Sequence, residues 1–183
     1  MKAISKFELL STLERETEKH LTEAVCIFQN LPEQMLLKPA SNGGWSIAQC
    51  LAHLNSYGRF YLPAINDALD RPAGNASAES FKSGWLGNYF TKMMQPGSSK
   101  KKYKSPKDHV PFVDLDAPAV IAEFIEQQEQ LIIYMRKAKA VNINATRVPV
   151  SISKWVRLKL GDTFRFLIAH NERHLLQAKR HLK

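Results

Sequence analysis

The sequence predicts an all-α protein, a bundle of four long helices. Four segments carry apolar residues at three- and four-residue steps, the period of a helix that buries one face. Stretches rich in glycine, proline, serine and asparagine separate them, as expected for turns. No segment alternates convincingly between apolar and polar residues, as a half-buried strand would. With 183 residues, 44% of them hydrophobic, we expect a single domain over residues 1–183.

The first two helices are predicted over residues 4–30 and from Ser46 to about residue 70. Pro32 ends the first because proline offers no backbone N–H. Ser46 and Gln49 form the S-x-x-Q pattern of a capping box at the start of the second. The inward face of the second helix is predicted to carry Gln49, Cys50, His53, Tyr57, Phe60 and Ala64.

Residues 71–116 are predicted to form a long, partly structured excursion between helices two and three, with a short helix over 81–94. A connection of this length is usually functional or mobile. We expect it either to cover a site as a lid or to serve as a partner surface. Helix three follows over 117–140, with Asp116 as its cap. Helix four is predicted from about Gly161 to the end of the chain.

The net charge of +9 could attract nucleic acid or an anionic substrate. The densest basic run comprises Lys100, Lys101, Lys102 and Lys104. It lies among glycine, serine and proline residues, which favours a solvated loop, and no nucleic-acid-binding motif accompanies it. The sequence therefore argues against nucleic acid as a partner.

Composition also favours a cytoplasmic protein that does not span a membrane. No run of about 18 apolar residues is present, and the start lacks the apolar core of a secretory signal. The two cysteines, Cys26 and Cys50, form no C-x-x-C motif, and we expect both to be buried. Cys50 precedes His53 by three residues on the same face, so a functional role for its thiol stays open.

Three histidines offer the most distinctive chemistry. His170 and His174 form an H-x-x-x-H pair on the apolar face of helix four, and His53 lies on the inward face of helix two. Residues four apart share one helix face, and facing helices pack closely enough for their side chains to reach one ion. Three imidazoles would leave coordination positions open, as in catalytic metal sites. The plain alternative is three core histidines held by hydrogen bonds.

Neighbouring side chains have two interpretations each. Gln177, one turn after His174, could hydrogen-bond to a ligand or supply simple core polarity. Tyr57, one turn after His53, could orient a substrate, although packing is favoured. Arg173 could serve an anionic substrate, although a salt bridge is favoured. Glu172 points away from the histidine face, which excludes the H-E-x-x-H protease mechanism.

Two segments carry a family resemblance. Residues 45–54 (WSIAQCLAHL) and 170–177 (HNERHLLQ) resemble the DinB-like superfamily, also described as YfiT-like metal-dependent hydrolases. Residues 84–87 (GWLG) and 104–107 (KSPK) are similar to one branch of it. The resemblance implies a four-helix bundle that is commonly a homodimer, with a three-histidine cap on zinc or nickel. It implies that His53, His170 and His174 are the metal ligands.

The resemblance fixes the scaffold better than the reaction. Its members include thiol S-transferases that use low-molecular-weight thiols and an isomerase of maleylpyruvate. We therefore expect a divalent-metal-dependent enzyme, of hydrolase or thiol S-transferase type, that acts on a small-molecule substrate. A low-molecular-weight thiol is a candidate second cofactor. The first alternative is a non-catalytic, metal-binding or dimer-forming stress-related bundle protein, and the second is nucleic-acid binding through the basic loop.

Overall fold

The computed structural model describes residues 2–41, 43–74, 78–97 and 104–182. Within these ranges six α-helices account for most of the structure. They are α1 (Lys6–Cys26), α2 (Glu33–Leu37), α3 (Ile47–Asp70), α4 (Trp85–Met94), α5 (Ala117–Ala138) and α6 (Leu160–Lys179). Short 3₁₀ turns lie at Phe28–Asn30, Lys107–His109 and Arg180–Leu182. The prediction of a mostly helical protein is confirmed.

Side chains cap the starts of the long helices where the sequence predicts it. The Ser46 hydroxyl accepts from the backbone N–H of Gln49 at 3.1 Å, and the Gln49 amide oxygen accepts from the Ser46 N–H at 3.0 Å. Asp116 accepts from the Ala119 N–H at 3.0 Å at the start of α5. Each contact satisfies a backbone donor that the first helical turn leaves free.

The four long helices pack against one another along their apolar faces. Helix α3 contacts α5 and α6, and α1 contacts the same two helices. The short α4 lies on α6. Two clusters of buried residues fill the interior, one around Leu10, Met135 and Phe164, the other around Leu51 and Phe124. Each of the four long helices contributes residues to both clusters.

Two small antiparallel sheets correct the prediction of a purely α-helical chain. β1 (Ile4–Ser5) pairs with β2 (Ser80–Phe81), and β3 (Arg147–Val150) pairs with β4 (Ser153–Lys159). The first pair is too short to leave a sequence pattern. In the second, Val148 and Val150 are buried, but Pro149 between them obscures the strand because proline is rare inside sheets.

Several predicted details were wrong. Helix α1 ends at Cys26, four residues earlier than predicted, and Cys26 is exposed. Cys26 lies two positions after the buried Ala24, which places it on the opposite side of the helix. Phe60 was predicted to face inward but is 37% exposed, because Tyr57 and Tyr61 occupy the inward positions of that turn.

Between α3 and α5 the secondary-structure elements of the described residues are β2, α4 and the turn Lys107–His109. The basic residues Lys100, Lys101 and Lys102 lie outside the described part of the chain. None of the helices in the described ranges is long and apolar enough to cross a membrane.

Candidate metal centre

Three buried histidines meet between α3 and α6. His53 comes from α3, and His170 and His174 come from successive turns of α6. Their candidate ligand nitrogens all lie within 4.8 Å of one another. The His53 and His170 Nε2 atoms are 3.1 Å apart. The structure thus brings together the three residues that the sequence singles out, although their role as ligands stays a prediction.

Burial keeps these imidazoles neutral. Their side chains are 3%, 2% and 9% exposed for His53, His170 and His174. Loss of solvation lowers the pKa of His53 to about 4 and that of His174 to about 3, and it holds the pKa of His170 well below its ordinary value. The neighbouring histidines reinforce the effect for His170 and His174. A neutral imidazole has a free lone pair, which is what a metal ion requires.

Hydrogen bonds fix the orientation of two of the three rings. The Nδ1 of His53 donates to the backbone carbonyl of His109 at 2.7 Å, since a carbonyl oxygen can only accept. Its Nε2 therefore carries the lone pair and faces the cluster. The Nδ1 of His174 likewise donates to the side-chain oxygen of Gln177 at 3.1 Å. This hydrogen bond is one of the two interpretations open for Gln177, and it leaves Nε2 of His174 free.

The distance between His53 and His170 fits two ligands of one ion. Zinc–nitrogen bonds of about 2.0–2.1 Å give nitrogen separations of about 2.9 to 3.4 Å at angles between square and tetrahedral. The observed 3.1 Å lies within that range. Nδ1 of His170 is buried and has no hydrogen-bond partner among the described residues. The 3.1 Å spacing and the three neutral imidazole donors fit a divalent ion; with an ion on Nε2 of His170, Nδ1 of that ring would carry the proton.

Aromatic rings surround the cluster and exclude water from it. The Trp45 ring lies 4.8 Å from the His53 ring, and the Phe166 ring stacks on His170 at 5.7 Å. Tyr57 lies 4.5 Å from His170 and 5.1 Å from His53, measured between ring centres. Burial raises the pKa of Tyr57 to about 12, so its phenol stays protonated. Tyr57 is packed in the wall of the site, and a role in orienting a substrate stays a prediction.

Three other candidates from the sequence are not members of the cluster, although the charge of Arg173 is near enough to help lower the pKa of His170 and His174. Glu172 bonds to Nε2 of His20 at 2.8 Å on another side of α6, consistent with its exclusion as a general base. Arg173 donates to the Met93 carbonyl at 3.2 Å, which ties α6 to the end of α4. Burial raises the pKa of the Cys50 thiol to about 12, so it stays a neutral thiol.

A fourth histidine, His109, lies at the site and was not predicted from the sequence. Its carbonyl holds His53, its ring stacks on Tyr57 with 3.8 Å between ring centres, and its Nδ1 lies 2.9 Å from the hydroxyl of Ser56. His109 belongs to the excursion between α4 and α5, far along the chain from both histidine helices. No periodicity or spacing in the sequence connects it to the cluster.

Fold and site together define a mostly helical protein with a buried three-histidine cluster suited to a metal ion. The family model of the DinB superfamily matches residues 15–178, so the chain belongs to the DinB superfamily. No curated protein and no solved structure matches the chain. The resemblance found in the sequence is thereby confirmed.

Proposed function

We propose that this protein is a divalent-metal-dependent enzyme, of hydrolase or thiol S-transferase type, whose ion is held by His53, His170 and His174. The observation that carries the proposal is the convergence of three neutral imidazoles within 4.8 Å. All-nitrogen ligands suit zinc or nickel. We infer that α1, α3, α5 and α6 form a four-helix bundle and that the site lies between two of its helices.

The chain's own residues prepare the site. Three uncharged ligands leave the full positive charge of an ion available, and a bound divalent ion would supply Lewis-acid activation of water or of a thiol. The His109 carbonyl and Gln177 keep the rings of His53 and His174 aimed at the cluster. Trp45 and Phe166 keep the surroundings apolar, which strengthens electrostatic interactions within the site.

A second candidate function is a non-catalytic metal staple between α3 and α6. The observation in its favour is burial, because none of the three side chains is more than 9% exposed. A staple would stabilise the fold without offering a coordination position to a substrate. The two functions therefore differ in whether a small external ligand can reach the ion.

Cobalt(II) replacement distinguishes the two functions, since cobalt reports its coordination through visible absorption bands. The enzyme proposal predicts that azide or 2-mercaptoethanol shifts the bands of the cobalt-loaded parent. Bands that neither probe changes would support the staple and contradict the enzyme proposal. A variant with His53→Ala, His170→Ala and His174→Ala serves as the control and should develop no such bands. Zinc- and nickel-loaded protein would then be assayed for ester hydrolysis and for transfer of 2-mercaptoethanol to an aryl halide.

A further inference from the structure

His109 lies in the turn Lys107–His109, and it is the residue of that turn that contacts α3. Its side chain is 6% exposed, whereas Lys107 and Asp108 beside it are exposed. Its carbonyl, its Nδ1 and the face of its ring contact His53, Ser56 and Tyr57, which share one side of α3. His109, which lies outside the long helices, therefore makes three separate contacts with α3 beside the candidate metal centre.

The hydrogen bonds between His109 and α3 form a closed loop. The Ser56 hydroxyl donates to the His53 carbonyl at 2.7 Å, so its oxygen is left to accept from Nδ1 of His109 at 2.9 Å. In return, Nδ1 of His53 donates to the His109 carbonyl at 2.7 Å. The side chain of His109 thus fixes the position of the same residue's carbonyl, and that carbonyl fixes the ring of His53.

The other two histidines lack such an outside support. Gln177, which holds His174, lies on the same helix three residues further on. Nδ1 of His170 has no partner among the described residues. Among the three histidines of the described cluster, His53 is therefore the one whose ring is oriented by a hydrogen bond to a residue outside its own helix. Outer partners of this kind fix the tautomer and orientation of a metal-bound histidine.

We propose that His109 is a positioning residue of the metal centre, whose anchored ring holds its own carbonyl against His53 so that Nε2 of His53 faces the ion. The proposal rests on the metal site proposed above. It also couples the turn Lys107–His109 to the ion. Because coupling is reciprocal, an ion that is bound more tightly when the turn is docked must itself hold the turn in place.

Zinc affinity, measured by competition with a chromophoric chelator, tests the positioning role. Loss of an outer hydrogen bond to a ligand weakens metal binding by about 10- to 100-fold, and we expect that range for His109→Ala. His109→Asn keeps an N–H near the position of Nδ1 and should recover most of the affinity. Ser56→Ala removes the hydrogen bond to Nδ1 of His109 but keeps the stacking of His109 on Tyr57, so its zinc affinity should lie between those of the parent and His109→Ala. Asp108→Ala, an exposed change in the same turn, should match the parent.

The coupling has its own readout in the parent protein. Zinc should slow tryptic cleavage after Lys107, which is exposed beside His109, and should have no such effect in His53→Ala. Circular dichroism checks that each variant is folded. If His109→Ala does not fold, the zinc affinities of His109→Asn and Ser56→Ala test the positioning role in its place.

The positioning role of His109 and the metal centre itself would be refuted by different results. If the parent binds zinc and both His109→Ala and Ser56→Ala bind it within twofold as tightly, His109 does not position the site, while the proposed metal centre stands. If the parent binds neither zinc nor nickel, the metal centre itself is refuted and the role of His109 with it.

Discussion

The metal-free protein should lose stability steeply between pH 8 and pH 5. Burial lowers the pKa of His53 to about 4 and that of His174 to about 3, and it keeps the pKa of His170 well below its ordinary value. The same residues in the unfolded chain have a pKa of about 6.5. Between these values the unfolded chain binds more protons than the native protein. Acidification therefore favours unfolding, and the stability present above pH 6.5 falls as the pH drops.

The expected loss is large for so few residues. At pH 5, protonation favours an unfolded histidine with a pKa of about 6.5 by about 2 kcal/mol, while the buried counterpart stays neutral. Three such residues give a loss on the order of 6 kcal/mol relative to pH 8. The total stability of a typical domain is about 5 to 15 kcal/mol, so the metal-free protein should be close to unfolding at pH 5.

Urea unfolding in the presence of EDTA at pH 8, 6 and 5 measures this loss. A variant with glutamine at positions 53, 170 and 174 should show a much flatter dependence on pH, because its buried side chains do not titrate. An equal fall in the urea midpoint for the parent and the triple variant would refute the reasoning, as would a constant midpoint in the parent.

Two further predictions concern the surroundings of α6. Gly87→Ala should destabilise the protein by about 1–3 kcal/mol, measured by thermal unfolding, because a methyl group there would overlap the carboxyl group of Asp162, which is 1% exposed. Gly84→Ala is the matched control, since its nearest new contact would be Asp162 Oδ2 at an ordinary 3.4 Å; equal effects would contradict the overlap argument. Glu172→Gln should lower the melting temperature, because the hydrogen bond to His20 keeps the pKa of that carboxyl group at about 2 and the variant loses the charge. Its metal content should equal that of the parent, and a loss of metal would show that Glu172 acts at the site after all.

The long helices could be predicted because their signals are local. The S-x-x-Q pattern at Ser46 and Gln49 specifies a helix start through contacts within one turn, and the structure contains both of its hydrogen bonds. The pairing of His170 with His174 follows from helix geometry in the same way. Whether His53 lies beside them depends on which helices face each other. No local pattern specifies that, and the prediction came from the family resemblance.

Other features depend on contacts that no local pattern encodes. His109 acts on His53 through a backbone carbonyl, which every residue possesses, so its identity and spacing carry no signal. The strand pair β3–β4 is short and contains Pro149, which reads as a break in a strand. Phe60 is exposed because Tyr57 and Tyr61, on the same helix, already fill the interior space beside it.

The central claim is that His53, His170 and His174 hold a divalent ion, and elemental mass spectrometry of untagged protein tests it most directly. The parent should contain about one equivalent of zinc, nickel or another divalent metal, and the triple alanine variant at these positions should contain none. Absence of metal in the parent, even after incubation with zinc or nickel and removal of excess, would contradict the claim and leave the three histidines as core residues.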